Sequence, residues 1–239
     1  MDDALWVVMP VYNEGHAVES VLREWTVAAR AVVPGVTVCV VDDGSTDETP
    51  AVLARLAAEQ PGLRIIRQPN AGHGQACMTA YRAALDGSAD WVLQVDSDGQ
   101  CDARYFGLLW AAGREAPAVL GRRRHREDGL ARALISRVLT VVVLAATGRW
   151  VRDANTPYRL MRADILAAAL RRIPAGVSLV NVLLALDLAA HTTIRWVDVG
   201  FRARLRHAAH GPRYFLRHAH GLWRDLRRYR RASSAIRES

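Results

Sequence analysis

The chain's 239 residues are 51% hydrophobic and 23% charged, enough apolar material for one sizeable core and too much for a chain that stays disordered. No run reaches the roughly 20 uncharged apolar residues of a membrane-spanning helix; the longest, 138–146, is flanked by Arg137 and Arg149. The formal net charge is +8 with no lysine: residues 1–50 hold nine acids against Arg23 and Arg30, whereas residues 202–231 hold ten arginines and four histidines against Asp225. A chain so polarised is suited to hold a metal with its front and anionic groups with its back.

Residues 5–9 read as a buried strand ended by Pro10, and 19–33 as a helix stopped by Pro34-Gly35. A second strand over 36–41 runs into Asp42-Asp43-Gly44-Ser45 and a helix over 49–59 with Thr46 or Asp47 placed to cap it. Then come a strand over 63–67, a helix over 74–85, and a strand over 91–95 ending in Asp96-Ser97-Asp98-Gly99. Four strand–helix alternations at short intervals predict a doubly wound, mostly parallel α/β sheet, whose ligands bind beyond the carboxyl ends of its strands. The polar clusters all fall at that edge.

Further on, helices are expected over 104–115, 130–147, 165–172, 179–190 and 213–231, and strands over 118–121 and 194–201. Residues 122–128 read as a charged loop and 153–162 as a polar stretch. Met1-Asp2-Asp3 is acidic where a secretory leader is basic, and Cys39, Cys77 and Cys101 match neither a disulfide framework nor a metal-ligand spacing. The expectation is a cytoplasmic chain in reducing surroundings.

Asp96-Ser97-Asp98 carries the strongest chemical signal. Loops often contain Asp-x-Asp, but this one leaves an apolar strand and has Gln100 as a third oxygen two residues on. Hard oxygen donors around one point suit a divalent cation that bridges the phosphates of a nucleotide. Tyr12 offers a flat face for a base, and Glu14 and Asp42 offer acceptors for base or ribose groups.

Pro10-Val11-Tyr12-Asn13-Glu14, Val41-Asp42-Asp43-Gly44-Ser45-Thr46-Asp47, Asn70-Ala71-Gly72-His73-Gly74 and Asp96-Ser97-Asp98-Gly99-Gln100, in that order, resemble the family 2 glycosyltransferases of the GT-A fold. Within that family the chain is most similar to the dolichyl- or polyprenyl-phosphate sugar synthases. The resemblance implies a catalytic domain over 1–204 with a Rossmann-like sheet flanked by helices, while 205–239 read from their residues as a basic amphipathic helical tail. It implies that Pro10, Tyr12, Glu14 and Asp42 hold the base of a UDP- or GDP-sugar, and that Asp96 meets the ribose or the metal. Asp98 and Gln100 would bind Mg²⁺ or Mn²⁺, and Gly72 and Gly74 would let the backbone pass close to the donor.

Asp153-Ala154-Asn155-Thr156-Pro157-Tyr158-Arg159 resembles the Asp-x-x-x-Gly-x-Arg stretch of those synthases, with Pro157 where glycine is usual. Arg122 and Arg132 lie where the synthases carry arginines for phosphates, and Arg202 or Arg204 where they carry one more after the last strand. Hydroxyl-acceptor members of the family often place a base in a Glu-Asp pair before a helix. Here the only acidic doublet of the second half, Glu127-Asp128, sits in an arginine-rich loop. A phosphate monoester is already anionic and needs no strong base, whereas a hydroxyl does; Asp153 is the fallback base for a hydroxyl acceptor. The expected reaction is an inverting in-line displacement onto a polyprenyl phosphate. The rivals are a transferase acting on a small-molecule hydroxyl and a nucleotidyltransferase. The helix over 213–231 is open to three readings: packing on the domain, lying on an anionic bilayer or, least favoured, binding nucleic acid. No nucleic-acid recognition motif accompanies its charge.

Overall fold

The computed structural model describes residues 3–123, 144, 151–202, 221 and 224–230. The helix expected over 130–147, Glu127-Asp128, Arg132, Arg204 and most of the 213–231 helix lie outside the described residues.

The described strands are β1 (Leu5–Val11), β2 (Val36–Asp42), β3 (Leu63–Arg67), β4 (Trp91–Gln94), β5 (Ala118–Arg123), β6 (Arg159–Arg162) and β7 (Ile194–Val199). They form one sheet in the order β3-β2-β1-β4-β6-β5-β7, in which only β6 runs antiparallel to its neighbours. The helices are α1 (Gly15–Arg30), α2 (Thr49–Glu59), α3 (His73–Asp86), α4 (Phe106–Gly113), α5 (Ala163–Arg172) and α6 (Val180–His191).

β1 is buried along its whole length, as a central parallel strand covered on both faces must be. Its side chains alternate between two cores. Leu5, Val7, Met9 and Val11 face α1, α2 and α4, where Val18, Leu22, Trp25, Leu53 and Leu109 pack. Trp6 and Val8 face α3, α5 and α6 with Tyr81, Leu166 and Leu184. The described end of the C-terminal segment, residues 224–230, is helical and joins that second core through Leu226 and Tyr229.

β6 corrects the expectation of a polar stretch over 153–162. Arg159-Leu160-Met161-Arg162 is four residues with an arginine at each end, too short and too charged to show a strand's alternation. Its place between β4 and β5 buries Arg159 completely. Burial lowers the guanidinium's pKa, and Nε and Nη2 donate to the carbonyls of Thr156 (2.7 Å) and Ala154 (2.8 Å). The loop that contains Pro157 is thereby braced from beneath.

Candidate active site

β1, β2 and β4 are adjacent, and their carboxyl ends deliver Tyr12, Asp42 and Asp96-Ser97-Asp98 to one edge of the sheet. Strand order reverses between β1 and β4, with β2 and β3 to one side and β4 to the other. A crevice at such a switch point is where open α/β sheets bind ligands.

The β1 exit is built against the β2 exit. Asn13 adopts a left-handed φ of 54°, a conformation that Asn tolerates better than most residues. Its N–H donates to Ser45 Oγ (2.9 Å), and its Oδ1 accepts from the Thr46 N–H (2.8 Å). The next two N–H groups, which start α1, donate to Thr49 Oγ1 (3.0 Å, from Glu14) and Asp47 Oδ2 (3.3 Å, from Gly15). Side chains of the β2–α2 loop thus satisfy donors that α1 itself cannot. Tyr12 is left 47% exposed at the crevice. Asp42 is buried: Oδ1 accepts from the Ser45 N–H (2.9 Å), while Oδ2 has no hydrogen-bond partner and lies 3.4 Å from Arg67 Nε. A buried carboxylate oxygen in that state suits an N–H donor from a base.

Asp43 ties down the loop before α3. Its Oδ1 accepts from the Ala71 N–H (2.9 Å) and Gln68 Nε2 (2.6 Å), and its Oδ2 from the Gly72 N–H (2.8 Å). Gly72, with φ of 87°, has open space where a Cβ would stand. Gly74 is different from the expectation of close approach to a donor. A Cβ there would lie 2.3 Å from the Ser178 carbonyl oxygen, so its missing side chain admits a loop of the protein itself.

Asp96 is held by two further residues, Gln94 and His73. Gln94 Nε2 donates to Asp96 Oδ1 (3.1 Å) and Gln94 Oε1 accepts from the Tyr81 hydroxyl (3.2 Å). His73 Nε2 lies 3.1 Å from the same Asp96 oxygen. The half-exposed His73 ring has Cys77 Sγ 3.7 Å from Nδ1. Cys77 first and Asp96 next hold its pKa well above the usual imidazole value. His73 does stand inside the quoted Asn70–Gly74 motif; only the fold reveals that it faces Asp96.

Asp98 is buried, and its Oδ1 accepts from the Gln100 N–H (3.1 Å). Gln100 Nε2 donates to the Arg202 carbonyl (3.3 Å), and the Arg202 N–H donates to the Gln100 carbonyl (3.0 Å). Asp96, Asp98 and Gln100 carry side-chain oxygens, the donor type that Mg²⁺ and Mn²⁺ take. Among the described residues no three His, Cys, Asp or Glu side chains gather as a metal cage.

Among the described residues, Arg122, Arg202 and Asp153 are engaged within the protein. Arg122 grips Asp198 across the β5–β7 pair with two hydrogen bonds (2.6 and 2.8 Å). Arg202 reaches away to Glu24 of α1 (2.8 Å from each terminal nitrogen) and to Asp102. The buried Asp153 is held by the neighbouring Arg123 through two bonds of 2.7 Å, and that guanidinium also lies 5.3 Å from the centre of the Phe201 ring.

The mostly parallel sheet, with acidic turns at its switch point, defines a GT-A glycosyltransferase fold. Glucosyl-3-phosphoglycerate synthase from Mycobacterium tuberculosis in complex with UDP superposes with a TM-score of 0.63 at 22% identity, over 94% of this chain and 80% of that one. The same enzyme with Mn²⁺, UDP-glucose and phosphoglyceric acid gives a TM-score of 0.60 at 23% identity, over 86% and 73%. The chain belongs to glycosyl transferase family 2, whose model matches residues 6–168. Among curated relatives, undecaprenyl-phosphate 4-deoxy-4-formamido-L-arabinose transferase of Serratia proteamaculans is 31% identical over 168 residues, 69% of this chain and 50% of that protein. The Proteus mirabilis protein of the same name is also 31% identical over 168 residues, 69% of this chain and 51% of that protein. The chain spans about half the length of these relatives. No helix among the described residues is long and apolar enough to cross a membrane.

Proposed function

We propose that the chain transfers a sugar, with inversion and with a divalent metal, from a nucleotide-sugar donor to a polyprenyl phosphate at a membrane surface. The observation that carries the choice of acceptor is the Asp153–Arg123 pair. It engages the carboxylate that a hydroxyl acceptor would need as base, whereas a phosphate oxygen attacks without losing a proton. The names of the undecaprenyl-phosphate transferases point the same way.

In this reading Tyr12 lies against the base, and Asp42 accepts from it through the oxygen that has no hydrogen bond in the protein. Asp96 meets the ribose or the metal, steadied by Gln94 and His73. Asp98 and Gln100 would hold Mg²⁺ or Mn²⁺, which when bound would neutralise the departing diphosphate. The acceptor's phosphate oxygen forms a bond to the anomeric carbon as the bond to the diphosphate oxygen breaks. Arg132 and Arg204 are proposed as further phosphate contacts. The catalytic unit is taken as residues 1–204, with 205–239 as an extension whose described residues 224–230 pack on it through Leu226 and Tyr229. Exposed arginines on that extension, Arg224, Arg227, Arg228 and Arg230, favour an anionic cytoplasmic membrane face.

A second reading, transfer to a small acceptor, is favoured by the neighbour that holds UDP-glucose together with phosphoglyceric acid. A thermal-shift panel of UDP-, GDP- and dTDP-sugars with Mn²⁺ tests donor binding, because a ligand of the native state raises its stability. Transfer of labelled sugar from the stabilising donor to undecaprenyl phosphate in detergent, but not to 3-phosphoglycerate, is the expected result. No stabilisation by any donor overturns the proposal; transfer to the small acid alone selects the second reading.

A further inference from the structure

Asp225 lies in the arginine-rich C-terminal segment, yet its side chain is completely buried. Its Oδ2 accepts from the N–H groups of Ser178 (2.7 Å) and Leu179 (3.4 Å), immediately before α6. α6 has no capping side chain of its own there, so a carboxylate from a remote part of the chain takes that place and meets the positive end of the helix. The same segment is fastened at two further points. Arg228 donates to the Ala175 carbonyl (2.8 Å), and the Tyr229 hydroxyl to Asp187 Oδ1 (2.8 Å).

The loop that Asp225 holds abuts the head of α3. Ser178 O occupies the space in which a Gly74 side chain would stand, and Gln75 Nε2 donates to the Val177 carbonyl (2.7 Å). One residue before Gly74, His73 contacts Asp96. An unbroken series of contacts therefore runs from the C-terminal segment to the donor-side carboxylate.

We infer that Asp225 is a positioning residue for the donor site: by capping α6 it seats residues 175–179 against Gly74 and Gln75, and so sets where His73 holds Asp96. The C-terminal segment is then part of the machinery that shapes the site. The inference deepens the reading proposed above and rests on it for the identity of the ligand.

The test uses the full chain and compares Asp225→Ala and Asp225→Asn with Tyr229→Phe, which loosens the same segment at Asp187 and leaves the Ser178 contact in place. Two readouts are taken on folded protein, the His73 ring resonances by NMR and the affinity for UDP or GDP with Mn²⁺ by calorimetry. Asp225→Ala is expected to shift the His73 resonances and to weaken nucleotide binding about tenfold to a hundredfold, the scale of a small misplacement at a site. Asp225→Asn keeps an acceptor and restores most of both, while Tyr229→Phe lowers the melting temperature with both readouts near wild type. If Asp225→Ala does not fold, Gly74→Ala displaces the same loop from the other side and is expected to give the same two changes. Wild-type His73 resonances and nucleotide affinity in folded Asp225→Ala, or in folded Gly74→Ala where Asp225→Ala does not fold, overturn the inference. Wild-type protein that is stabilised by none of the UDP-, GDP- and dTDP-sugars refutes the transferase reading instead, and the His73 resonances still decide the role of Asp225.

Discussion

Asp98 and Asp153 are both buried carboxylates, and their neighbours separate their roles. Asp98 accepts from a backbone N–H in the loop beyond β4, beside the half-buried Asp96. Asp98→Asn preserves shape and hydrogen bonding and removes a charge, so turnover is expected to fall by a factor of about 10² or more with the melting temperature near wild type. Steady-state rates and a melting curve on one preparation check this, and undiminished turnover refutes the metal role. Asp153 meets a guanidinium at 2.7 Å through both oxygens. Asp153→Ala leaves Arg123 largely buried without that partner and is expected to cost about 3–5 kcal/mol, visible in urea unfolding. A loss of activity without loss of stability would return Asp153 to the part of a base.

At the scale of elements, the two loops at the crevice are built as one unit. Asp47 accepts from the N–H of Thr49 at the start of α2 and from that of Gly15 at the start of α1. Partial burial raises the pKa of its carboxyl, but the hydrogen bonds from Thr49 and Gly15 outweigh this and the net shift is downward. A carboxylate whose folded pKa lies below the ordinary 3.8 contributes its stability above that pH and loses it as pH falls through the folded value. Asp47→Asn is therefore expected to cost about 1 kcal/mol at neutral pH. Its gap from wild type should narrow below about pH 3.8, as followed by thermal unfolding between pH 7 and 3. A gap that stays constant with pH would show that the charge plays no part in the cap.

For the whole molecule, the question is how the arginine-rich C-terminus relates to the catalytic fold. Leu226 and Tyr229 lie in the same core as α3, α5 and α6, and Tyr229 reaches Asp187, the buried carboxylate that also holds Arg172. Leu226→Ala is expected to cost about 2–4 kcal/mol and to shift a single cooperative urea transition. An unmoved midpoint would mean that the segment is an independent appendage. The periodicity over 213–231 left packing on the domain and lying on a bilayer both open, because an apolar stripe has the same spacing whichever surface covers it. For residues 224–230 the structure places the stripe on the protein and the arginines outward.

The sheet, its parallel order up to β4 and the acidic turns at its edge were legible in the residues. Strands buried on both faces read as unbroken apolar runs, and the turns between them carry their chemistry within a few neighbouring positions. Tyr12, Asp42, Asp96 and Asp98 each follow such a run, so local pattern alone determined that they would meet at one edge. Other features became visible only in three dimensions: the short strand with Arg159 at its buried end, the pairing of Arg122 with Asp198 and of Asp153 with Arg123, the contact of Gly74 with Ser178, and the reach of Asp225 to α6. Each joins groups far apart in the chain, or adjacent groups whose pairing depends on burial. The partner of a charged side chain is set by which surfaces the core brings together, which spacing along the chain does not encode.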